Sequence, residues 1–537
     1  MADGPGGLSA IFHPSPKGAP PQKRMCNSVI KKILKFLTSR MVIVAVLILL
    51  QILFVVNLVV YLSSASIYVY SLLELVSASA VIWLVSKNEN PSYKLAWVIL
   101  IMAFPIVGIV FYLMFGDKRM SKGLSRKIEG YYKDIVPFVE EQSHKGVGRS
   151  LGEADALLGR QAAYITRISG APVFQNTSVQ YCELGEVKFR YLLEELQKAK
   201  HFIFLEYFII EPGKMFGDVL AVLQQKVREG VEVRLMYDDL GSIQTVPPGY
   251  DKVLASSGIR VCVFNPFRPH VNSVLNYRDH RKICVIDGNV GFTGGINLAD
   301  EYINAYQKHG HWKDTAVMLK GEAVWNLTLL FMQLWCFSTG DEFDVERYRP
   351  TIEAESDGYV QPFGDSPLDS FNVAENAYMQ IINGATDYVY ITTPYLILDN
   401  EMLGALTLAA QSGVDVRIMT PHVPDKWFVH PVTRSFYLPL IKAGVKIYEY
   451  SPGFVHAKMF VADDKVAIVG TTNMDYRSFY LHFECGVAFY FSKVVGAVKG
   501  DILDTLQRCE LITEKKAGAH WYIRLGRALL RIFAPLM

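Results

Sequence analysis

Three apolar stretches near the start of the chain carry very few polar side chains. They cover residues 41–62, 67–85 and 95–115. The first has 22 residues, which as a helix matches a bilayer core of about 30 Å. Glu74 weakens the second stretch, and Pro105 interrupts the third. The pattern predicts two or three membrane helices in this region.

Further along the chain, runs rich in β-branched and aromatic residues alternate with helix-like stretches, and the same order occurs twice. The matching pairs are residues 202–210 with 389–397, 230–238 with 413–421, and 257–266 with 443–452. Each half therefore has the order strand, helix, strand, helix, strand and hairpin. This alternation predicts an α/β fold with a largely buried sheet. We expect two duplicated halves packed about a pseudo-twofold axis.

The duplication is most distinct in two segments, DHRKICVIDGNVGFTGGIN at residues 279–297 and VHAKMFVADDKVAIVGTTN at residues 455–473. Both segments have a histidine, a lysine two residues later, an aspartate, a glycine and an asparagine at the same spacing. These residues are His280, Lys282, Asp287, Gly294 and Asn297 in the first copy, and His456, Lys458, Asp463, Gly470 and Asn473 in the second.

The composition divides the remaining chain into regions. We predict a disordered, basic tail at residues 1–40, a membrane region at 41–116, a first half at 117–350, a linker rich in Asp, Glu, Pro and Ser at 351–370, a second half at 371–515 and a C-terminal helix at 516–537. Basic residues flank both ends of the membrane region. By the positive-inside rule, they favour a multi-pass protein of the cell membrane with its large domain in the cytoplasm.

The C-terminal stretch WYIRLGRALLRIFAPLM has the spacing of an amphipathic helix. Its basic face carries Arg524, Arg527 and Arg531, and its apolar face carries Trp521, Leu525, Ala528 and Ile532. Two interpretations remain open. The apolar face could lie in a membrane surface, or it could pack on the core of the protein's own domain.

The overall charge is nearly balanced. The 537 residues include 54 basic and 52 acidic side chains, so the chain lacks the basic field that is typical of nucleic-acid-binding proteins. The seven cysteines are scattered without paired spacing. This indicates free thiols and argues against a disulfide framework or a zinc site.

The motif residues suit phosphodiester chemistry. Side chains two residues apart on a strand share a face, so His280 lies beside Lys282 and His456 beside Lys458. If the halves pack together, one imidazole can attack phosphorus. The other can protonate the departing alkoxide and later deprotonate the incoming nucleophile.

Further polar residues complete this interpretation. The amides of Asn297 and Asn473, with the two lysines, can offset phosphate charge, so neither a metal nor another cofactor is required. Each imidazole also needs an acceptor for its second nitrogen. The tails of the two repeats, WKDTAVML and FECGVAFY, contain one carboxylate each near their start, Asp314 and Glu484, and we treat these two as equivalent. We predict that these carboxylates orient the histidines, although both could instead be ordinary ion-pair partners.

Asp287 and Asp463 belong to the same motif and are included among its candidate catalytic residues. Both fall at predicted turns between two strands. A position in a turn also suits a structural role, in which the carboxylate holds the hairpin or the neighbouring backbone.

The two complete motifs, together with the stretches NPSYKLAWVILIMAFPIVGIVFYLMFG, GTTNMDYRSFYLHFE and ALLRIFAPL, resemble bacterial cardiolipin synthases of the phospholipase D superfamily. The resemblance extends over nearly the whole chain from about residue 67. It implies α/β/α halves with an active site at their interface. It also implies transfer of a phosphatidyl group from one phosphatidylglycerol to another through a covalent phosphatidyl-histidine, with His280 as the nucleophile and His456 as the acid/base.

The resemblance leaves several alternatives. A membrane-bound phospholipase D would hydrolyse the same intermediate, and other alcohols could act as acceptors. A nuclease is disfavoured by the apolar segments and the balanced charge. An inactive membrane scaffold would have little need for both motifs. The expected partners are therefore phosphatidylglycerol and the lipid bilayer, with no nucleic acid, and the oligomeric state is not indicated.

Overall fold

The computed structural model of the chain describes residues 64–116, 137–138, 140–142, 145–266, 277–368 and 371–534. These residues form two compact units. One contains residues 64–88 and 97–112, and the other contains residues 89–96 and the described residues from 113 onward. The predicted N-terminal tail and the first apolar stretch lie outside the described residues.

The N-terminal helices are Ser64–Val85, Pro91–Ala103 and Pro105–Phe111, followed by a π-helical turn at Tyr112–Gly116. The third apolar stretch is therefore divided at Phe104. Proline has no N–H to continue the helical hydrogen bonds, and Pro105 instead begins a new helix. Within the described ranges, no helix is both long enough and apolar enough to cross a membrane.

The larger unit is built on two sheets. In chain order, the strands of its described part are Thr177–Cys182 (β1), Phe202–Tyr207 (β2), Glu232–Asp238 (β3), Arg260–Phe264 (β4), Arg278–Asp279 (β5), Lys282–Ile286 (β6), Val290–Gly294 (β7), His311–Lys313 (β8), Ala316–Gly321 (β9), Tyr359–Asp365 (β10), Tyr388–Thr392 (β11), Asp415–Pro421 (β12), Lys446–Tyr450 (β13), Gly453–Val455 (β14), Met459–Ala462 (β15), Val466–Gly470 (β16), His482–Tyr490 (β17) and Cys509–Leu511 (β18).

The two sheets have the same topology. The first has the order β1-β9-β7-β6-β2-β3-β4, and the second has the order β10-β17-β16-β15-β11-β12-β13, with β18 added at its end. In each sheet three neighbouring strands are parallel and the others pair antiparallel. The predicted duplication of an α/β unit is confirmed.

One predicted match between the halves is wrong by one residue. Ile203 pairs with Ile286, and Val389 pairs with Ala462. Ile286 and Ala462 are equivalent in the motif, so their partners Ile203 and Val389 are equivalent as well. The match predicted from the sequence instead pairs Val389 with Phe202. Two hydrophobic runs can be aligned in either register by composition, but a one-residue shift exchanges the faces of the strand.

Helices cover the sheets. They are Val147–Ala154, Ala156–Ser169, Gly185–Lys198, Lys214–Arg228, Asp239–Ser242, Tyr250–Ser256, Val324–Thr339, Val373–Gly384, Asn400–Gln411, Val429–Ser435, Tyr437–Lys442, Tyr476–Tyr480, Lys493–Leu506, Glu514–Ala517 and Trp521–Ile532, with 3₁₀ turns at Asp300–Ile303 and Val345–Tyr348.

The halves exchange elements across the predicted linker. Strand β10 lies inside residues 351–370 and pairs with β17. The helix Ala156–Ser169 precedes the first sheet but packs on the second half, where Gln161 donates a hydrogen bond of 2.9 Å to the Ala377 carbonyl. The same helix contributes Ile165 to the core of the second half.

A shared core joins the two sheets. Val317 and Leu319 of β9 belong to the same buried cluster as Val461 of β15 and Val469 of β16. Side chains of both sheets therefore interdigitate across the middle of the unit. This packing fixes the two motif segments relative to each other.

The C-terminal helix Trp521–Ile532 exposes its apolar side. Trp521 is 75% exposed, and Leu525 and Leu529 are 54% and 53% exposed. A helix that docked this face on its own domain would bury these side chains.

The arginine side of the same helix contacts the protein. The Arg531 guanidinium lies 4.1 Å from the centre of the Phe436 ring, and Arg527 donates a hydrogen bond to the Ala517 carbonyl. On the same side, Leu530 packs against the core of the second half, and Ala534 belongs to that core. The helix therefore docks through this side and leaves the predicted apolar face exposed.

Candidate active site

Each motif histidine is held by backbone of the other half. The first half contributes β5, which pairs with the start of β17, and the His280 N–H donates to the Phe483 carbonyl at 2.9 Å. The second half contributes β14, which pairs with β8, and the His456 N–H donates to the Lys313 carbonyl at 2.7 Å. The exchange is reciprocal, as expected for two copies related by a pseudo-twofold axis.

The two predicted orienting carboxylates also cross between the halves. Nδ1 of His280 lies 2.9 Å from both carboxylate oxygens of Glu484. Nδ1 of His456 lies 2.7 Å from Oδ2 of Asp314. Both carboxylates are fully buried. They therefore fix the Nδ1–H tautomer of each imidazole and leave Nε2 with a lone pair.

Burial sets the protonation of these pairs. It lowers the pKa of His280 well below its usual value and that of His456 to about 4, against the opposing charge of each carboxylate. Burial opposes ionisation of Glu484 and Asp314 as well. Even so, the adjacent histidines hold the pKa of Glu484 well below its usual range and lower that of Asp314. At neutral pH both imidazoles are neutral and both carboxylates are ionised.

The two motif lysines are buried, and they lie close enough for the charge of one to affect the pKa of the other. Lys282 donates to the carbonyl of His280, and Lys458 donates to the carbonyl of His456. Burial lowers the pKa of Lys282 to about 8 and that of Lys458 to about 7. The charge of Lys282 also lowers the pKa of both Lys458 and His456. The cations of the two halves therefore share one region.

The two motif asparagines differ in their contacts. Asn297 accepts from the Ile209 N–H at 3.0 Å and donates to the Tyr302 hydroxyl at 2.7 Å. Asn473 is 4% exposed, and its Oδ1 has no hydrogen-bond partner among the residues that the structure describes. The Asn297 amide is therefore engaged in the fold, whereas Asn473 keeps an unused acceptor.

The motif aspartates do not lie with the histidines, and the structure does not support their inclusion among the catalytic residues. Asp287 accepts the backbone N–H groups of residues 200–202, and Asp463 accepts those of residues 386–388, at 2.7 to 3.0 Å. Both aspartates have positive φ, 53° and 52°. They are turn residues that anchor the start of β2 and of β11.

A small residue in one copy makes room for the shorter carboxylate. A side chain on Gly295 would come within 2.0 Å of an Asp314 oxygen. The equivalent residue of the second copy is Thr471, whose hydroxyl donates to Glu484 at 2.5 Å. The two copies therefore support their carboxylates by different contacts.

Two residues that flank the imidazoles were not predicted from the sequence. The His482 ring lies 5.4 Å from that of His280, and the Trp312 ring lies 5.4 Å from that of His456. Arg477 donates to Nε2 of His482 at 3.3 Å, and Nδ1 of His482 lies 3.6 Å from Glu484. His482 and Trp312 each precede an orienting carboxylate by two residues, but only the strand pairing brings them beside the imidazoles.

Within the described part of the chain, two groups of side chains have the spacing to hold a metal ion. They are His280 with His482 and Glu484, and His422 with Glu449 and Glu510. Glu484 already accepts from His280, and Glu449 accepts from Arg434 at 2.9 and 3.0 Å. Around the first group, the motif histidines can transfer protons and the motif lysines supply positive charge, and both functions fit phosphodiester chemistry.

Two sequence models of known families match the chain. The one described as "Cardiolipin synthase, PLD-like domain" matches residues 192–327 and 378–502, and the one described as "Phospholipase_D-nuclease N-terminal" matches residues 75–116. The first matches both halves and contains both histidine motifs.

Several curated proteins are similar over most of their length. The cardiolipin synthase of Halalkalibacterium halodurans is 36% identical over 466 residues, and that of Geobacillus kaustophilus is 35% identical over 455. Each alignment covers 84% of this chain and 90% of the relative. An uncharacterised protein of Streptococcus mutans is 46% identical over 460 residues, which is 85% of this chain and 99% of that protein.

A solved structure supports the fold. The crystal structure of phosphatidylserine synthase from Haemophilus influenzae superposes with a TM-score of 0.54 at 13% identity, covering 70% of this chain and 97% of that one. At this identity the similarity concerns the fold alone.

Proposed function

We propose that this chain, which belongs to the family of phospholipase D-like cardiolipin synthases, transfers a phosphatidyl group from one phosphatidylglycerol to another and so forms cardiolipin and glycerol. The observation that carries the proposal is the reciprocal pairing of His280 with Glu484 and of His456 with Asp314. An imidazole that is held at Nδ1 by a carboxylate keeps Nε2 available to attack phosphorus or, once protonated, to donate a proton, as a nucleophile and an acid/base require.

In the first step, Nε2 of His280 attacks phosphorus, and the bond from phosphorus to the glycerol oxygen breaks. The departing oxygen takes a proton from His456. This step requires a protonated His456, which is disfavoured in the empty site because burial lowers the pKa of the imidazole. A bound phosphodiester brings a negative charge that stabilises the imidazolium.

In the second step, a hydroxyl of another phosphatidylglycerol gives its proton to His456. Its oxygen attacks phosphorus, the bond from phosphorus to His280 breaks, and cardiolipin leaves. Lys282 and Lys458 are suited to offset charge on the non-bridging oxygens in both steps, and the side-chain N–H groups of Asn473 can donate hydrogen bonds to these oxygens. Asn297 supports the site through Tyr302.

We also propose that the protein is a multi-pass membrane protein with a cytoplasmic catalytic unit, and that the helix Trp521–Ile532 lies in the lipid surface. The exposed Trp521 and Leu525 support this position of the helix. The exposed Lys515 just before the helix matches the negative charge of phosphatidylglycerol, whereas Lys516 is paired with Glu510.

The test is product analysis. The full-length protein is purified in detergent, reconstituted with phosphatidylglycerol alone and examined by mass spectrometry. Cardiolipin with an equal amount of glycerol is expected, and its loss in His280→Ala and His456→Ala is the control. Phosphatidic acid with glycerol would instead establish a hydrolase. Absence of turnover in the unaltered protein, with no effect of either substitution, would establish a scaffold.

A further inference from the structure

The two motif histidines have chemically different surroundings, although they belong to equivalent repeats. The spacing of 176 residues between the motifs makes Glu301 equivalent to Arg477 and Tyr302 equivalent to Ser478. The reciprocal strand pairs make Trp312 equivalent to His482 and Phe454 equivalent to Arg278. All four positions differ in chemical class. One flank is therefore aromatic and acidic, and the other is basic.

Three aromatic rings surround His456. The rings of Trp312, Tyr302 and Phe454 lie 5.4, 5.6 and 5.9 Å from the imidazole. Tyr302 accepts from Asn297, so its own hydrogen remains available to donate. Aromatic faces pack well against the C–H groups of a polyol while hydroxyls at their edges form hydrogen bonds.

Three carboxylates lie beyond these rings. Burial and the charge of Glu211 raise the pKa of Glu301 to about 7, and Asp425 adds to the shift. Glu211 accepts from the Tyr306 hydroxyl at 3.4 Å, and Asp425 accepts from the Tyr395 hydroxyl. The three carboxylates are partly exposed, so they lie where a ligand can reach them.

A separate observation points to a ligand on the same flank. Trp312 is 6% exposed, and its indole N–H has no hydrogen-bond partner within the described ranges. A buried donor without a partner is unfavourable, because it has lost its hydrogen bond to water and gained none in the protein. This donor belongs to a ring that contacts Tyr302, Phe454 and His456.

We propose that the flank of His456 formed by Glu301, Asp425, Trp312 and Tyr302 is a polyol subsite that binds the glycerol headgroup. This inference rests on the proposed function and specifies how its substrate is recognised. The subsite combines carboxylates, which accept hydrogen bonds from hydroxyls, with an indole and a phenol that donate to them.

One subsite can serve both half-reactions. The group that leaves in the first step and the group that attacks in the second are both glycerol headgroups, and both exchange a proton with His456. A subsite beside His456 positions the departing oxygen near the proton donor and the attacking hydroxyl near the proton acceptor. The flank of His280 instead offers Arg477, which donates to His482, and its Asp475 carboxylate already accepts the Ser478 N–H.

The test is a competition between two donors in vesicles that contain the full-length protein. Phosphatidylglycerol and phosphatidylpropanol, whose headgroup has no free hydroxyl, carry acyl chains of different mass. Both can transfer to phosphatidylglycerol. The masses of the cardiolipins therefore give the ratio of kcat/KM for the two donors in a single reaction.

The unaltered protein is expected to prefer phosphatidylglycerol, and Glu301→Gln and Asp425→Asn are each expected to reduce that preference at least fivefold. The exposed Glu229→Gln, at the end of a distant helix, is the matched control and should leave the ratio unchanged. Thermal unfolding identifies any variant that does not fold. If one of the two subsite variants fails to fold, the donor ratio of the other one tests the proposal.

An unchanged ratio in a folded Glu301→Gln or Asp425→Asn protein would overturn the subsite, even if total turnover fell. The absence of any cardiolipin from the unaltered protein would instead refute the proposed function, and the subsite with it. The two failures are therefore distinguishable within the same experiment.

Discussion

Glu484 accepts a hydrogen bond from Nδ1 of His280 although the two residues are 204 positions apart and belong to different copies of the repeat. Asp314 and His456 form the reciprocal contact over 142 positions. Each half therefore provides the imidazole of one pair and the carboxylate of the other. Neither half contains a complete pair, so the candidate site depends on the packing of both.

Removing the charge of either orienting carboxylate should reduce activity strongly. Glu484→Gln and Asp314→Asn keep the size of the side chain but no longer stabilise an imidazolium or enforce the Nδ1–H tautomer. We expect kcat to fall by about 10²- to 10⁴-fold, measured as cardiolipin formed in vesicles. Glu229→Gln is the control. If the carboxylates were ordinary ion-pair partners, both variants would retain activity within a few-fold.

Asp463→Ala should lower the stability of the fold and should have little direct effect on the catalytic step. The carboxylate accepts three backbone N–H groups at the start of β11, and their loss is expected to cost about 2 to 4 kcal/mol of unfolding free energy. Asp464→Ala changes a neighbour with the same positive φ, 56°, but removes only a pairing with Lys499 and a hydrogen bond from the Tyr388 hydroxyl, so it should cost less than Asp463→Ala. Equal melting temperatures of the two variants in detergent would contradict this assignment.

The same aspartate should contribute to acid unfolding. Burial opposes ionisation of Asp463, but hydrogen bonds from the backbone of residues 386–388 lower its pKa. Because the folded pKa lies below the unfolded one, the contribution to stability is present above the unfolded value and is lost as pH falls through the folded value. The unaltered protein should therefore lose more stability than Asp463→Ala between about pH 4 and pH 2.

The pH dependence of kcat/KM should show the ionisation of the two buried lysines. Lys458 and Lys282 have pKa values lowered to about 7 and about 8, and only their protonated forms offset phosphate charge. The rate should therefore decline as pH rises through these values, since kcat/KM reports ionisations of the free enzyme. Lys458→Arg cannot lose its charge in this range, so any activity it retains should decline only at higher pH. A profile of the unaltered protein that stays flat to pH 9 would contradict the interpretation.

The exposed face of the C-terminal helix should insert into lipid. Trypsin cleavage at the exposed Arg524 is measured by mass spectrometry with and without phosphatidylglycerol vesicles. Vesicles should protect this bond in the unaltered protein and much less in the double variant Leu525→Glu and Leu529→Glu, because two apolar side chains are replaced by charges. Leu408→Glu alters a leucine that is 61% exposed on a distant helix and should leave the protection intact. Equal protection in all three proteins would argue against insertion.

The repeated spacing was enough to single out the histidines and the lysines, because a duplicated motif is visible without a structure. Comparison of the repeat tails singled out Asp314 and Glu484, which contact the two imidazoles. The spacing was not enough to predict that Val389 is equivalent to Ile203 and not to Phe202, since two apolar runs look alike in either register. Strand β10 was hidden in a stretch rich in turn-forming residues. Its pairing with β17 is a long-range contact that local propensity does not encode.

The flanks of the histidines were also beyond the reach of the sequence. Trp312 and His482 acquire their positions only when β14 pairs with β8 and β5 pairs with β17. The roles suggested for Asp287 and Asp463 could not be separated from the spacing alone. Each motif histidine precedes a strand, β6 or β15, and each motif aspartate follows the same strand. The aspartates therefore lie at the opposite end of the strand from the imidazoles.

The exchange of strands between the halves has a consequence during synthesis. His280 leaves the ribosome 204 residues before Glu484, which at ordinary elongation rates is a delay of about 10 to 40 s. For most of that interval the nascent first half holds Asp314 and Lys282 without the partner residues from the second half. Co-translational chaperones therefore have a long window in which to bind this half, and the enzyme becomes active only when the last sheet closes.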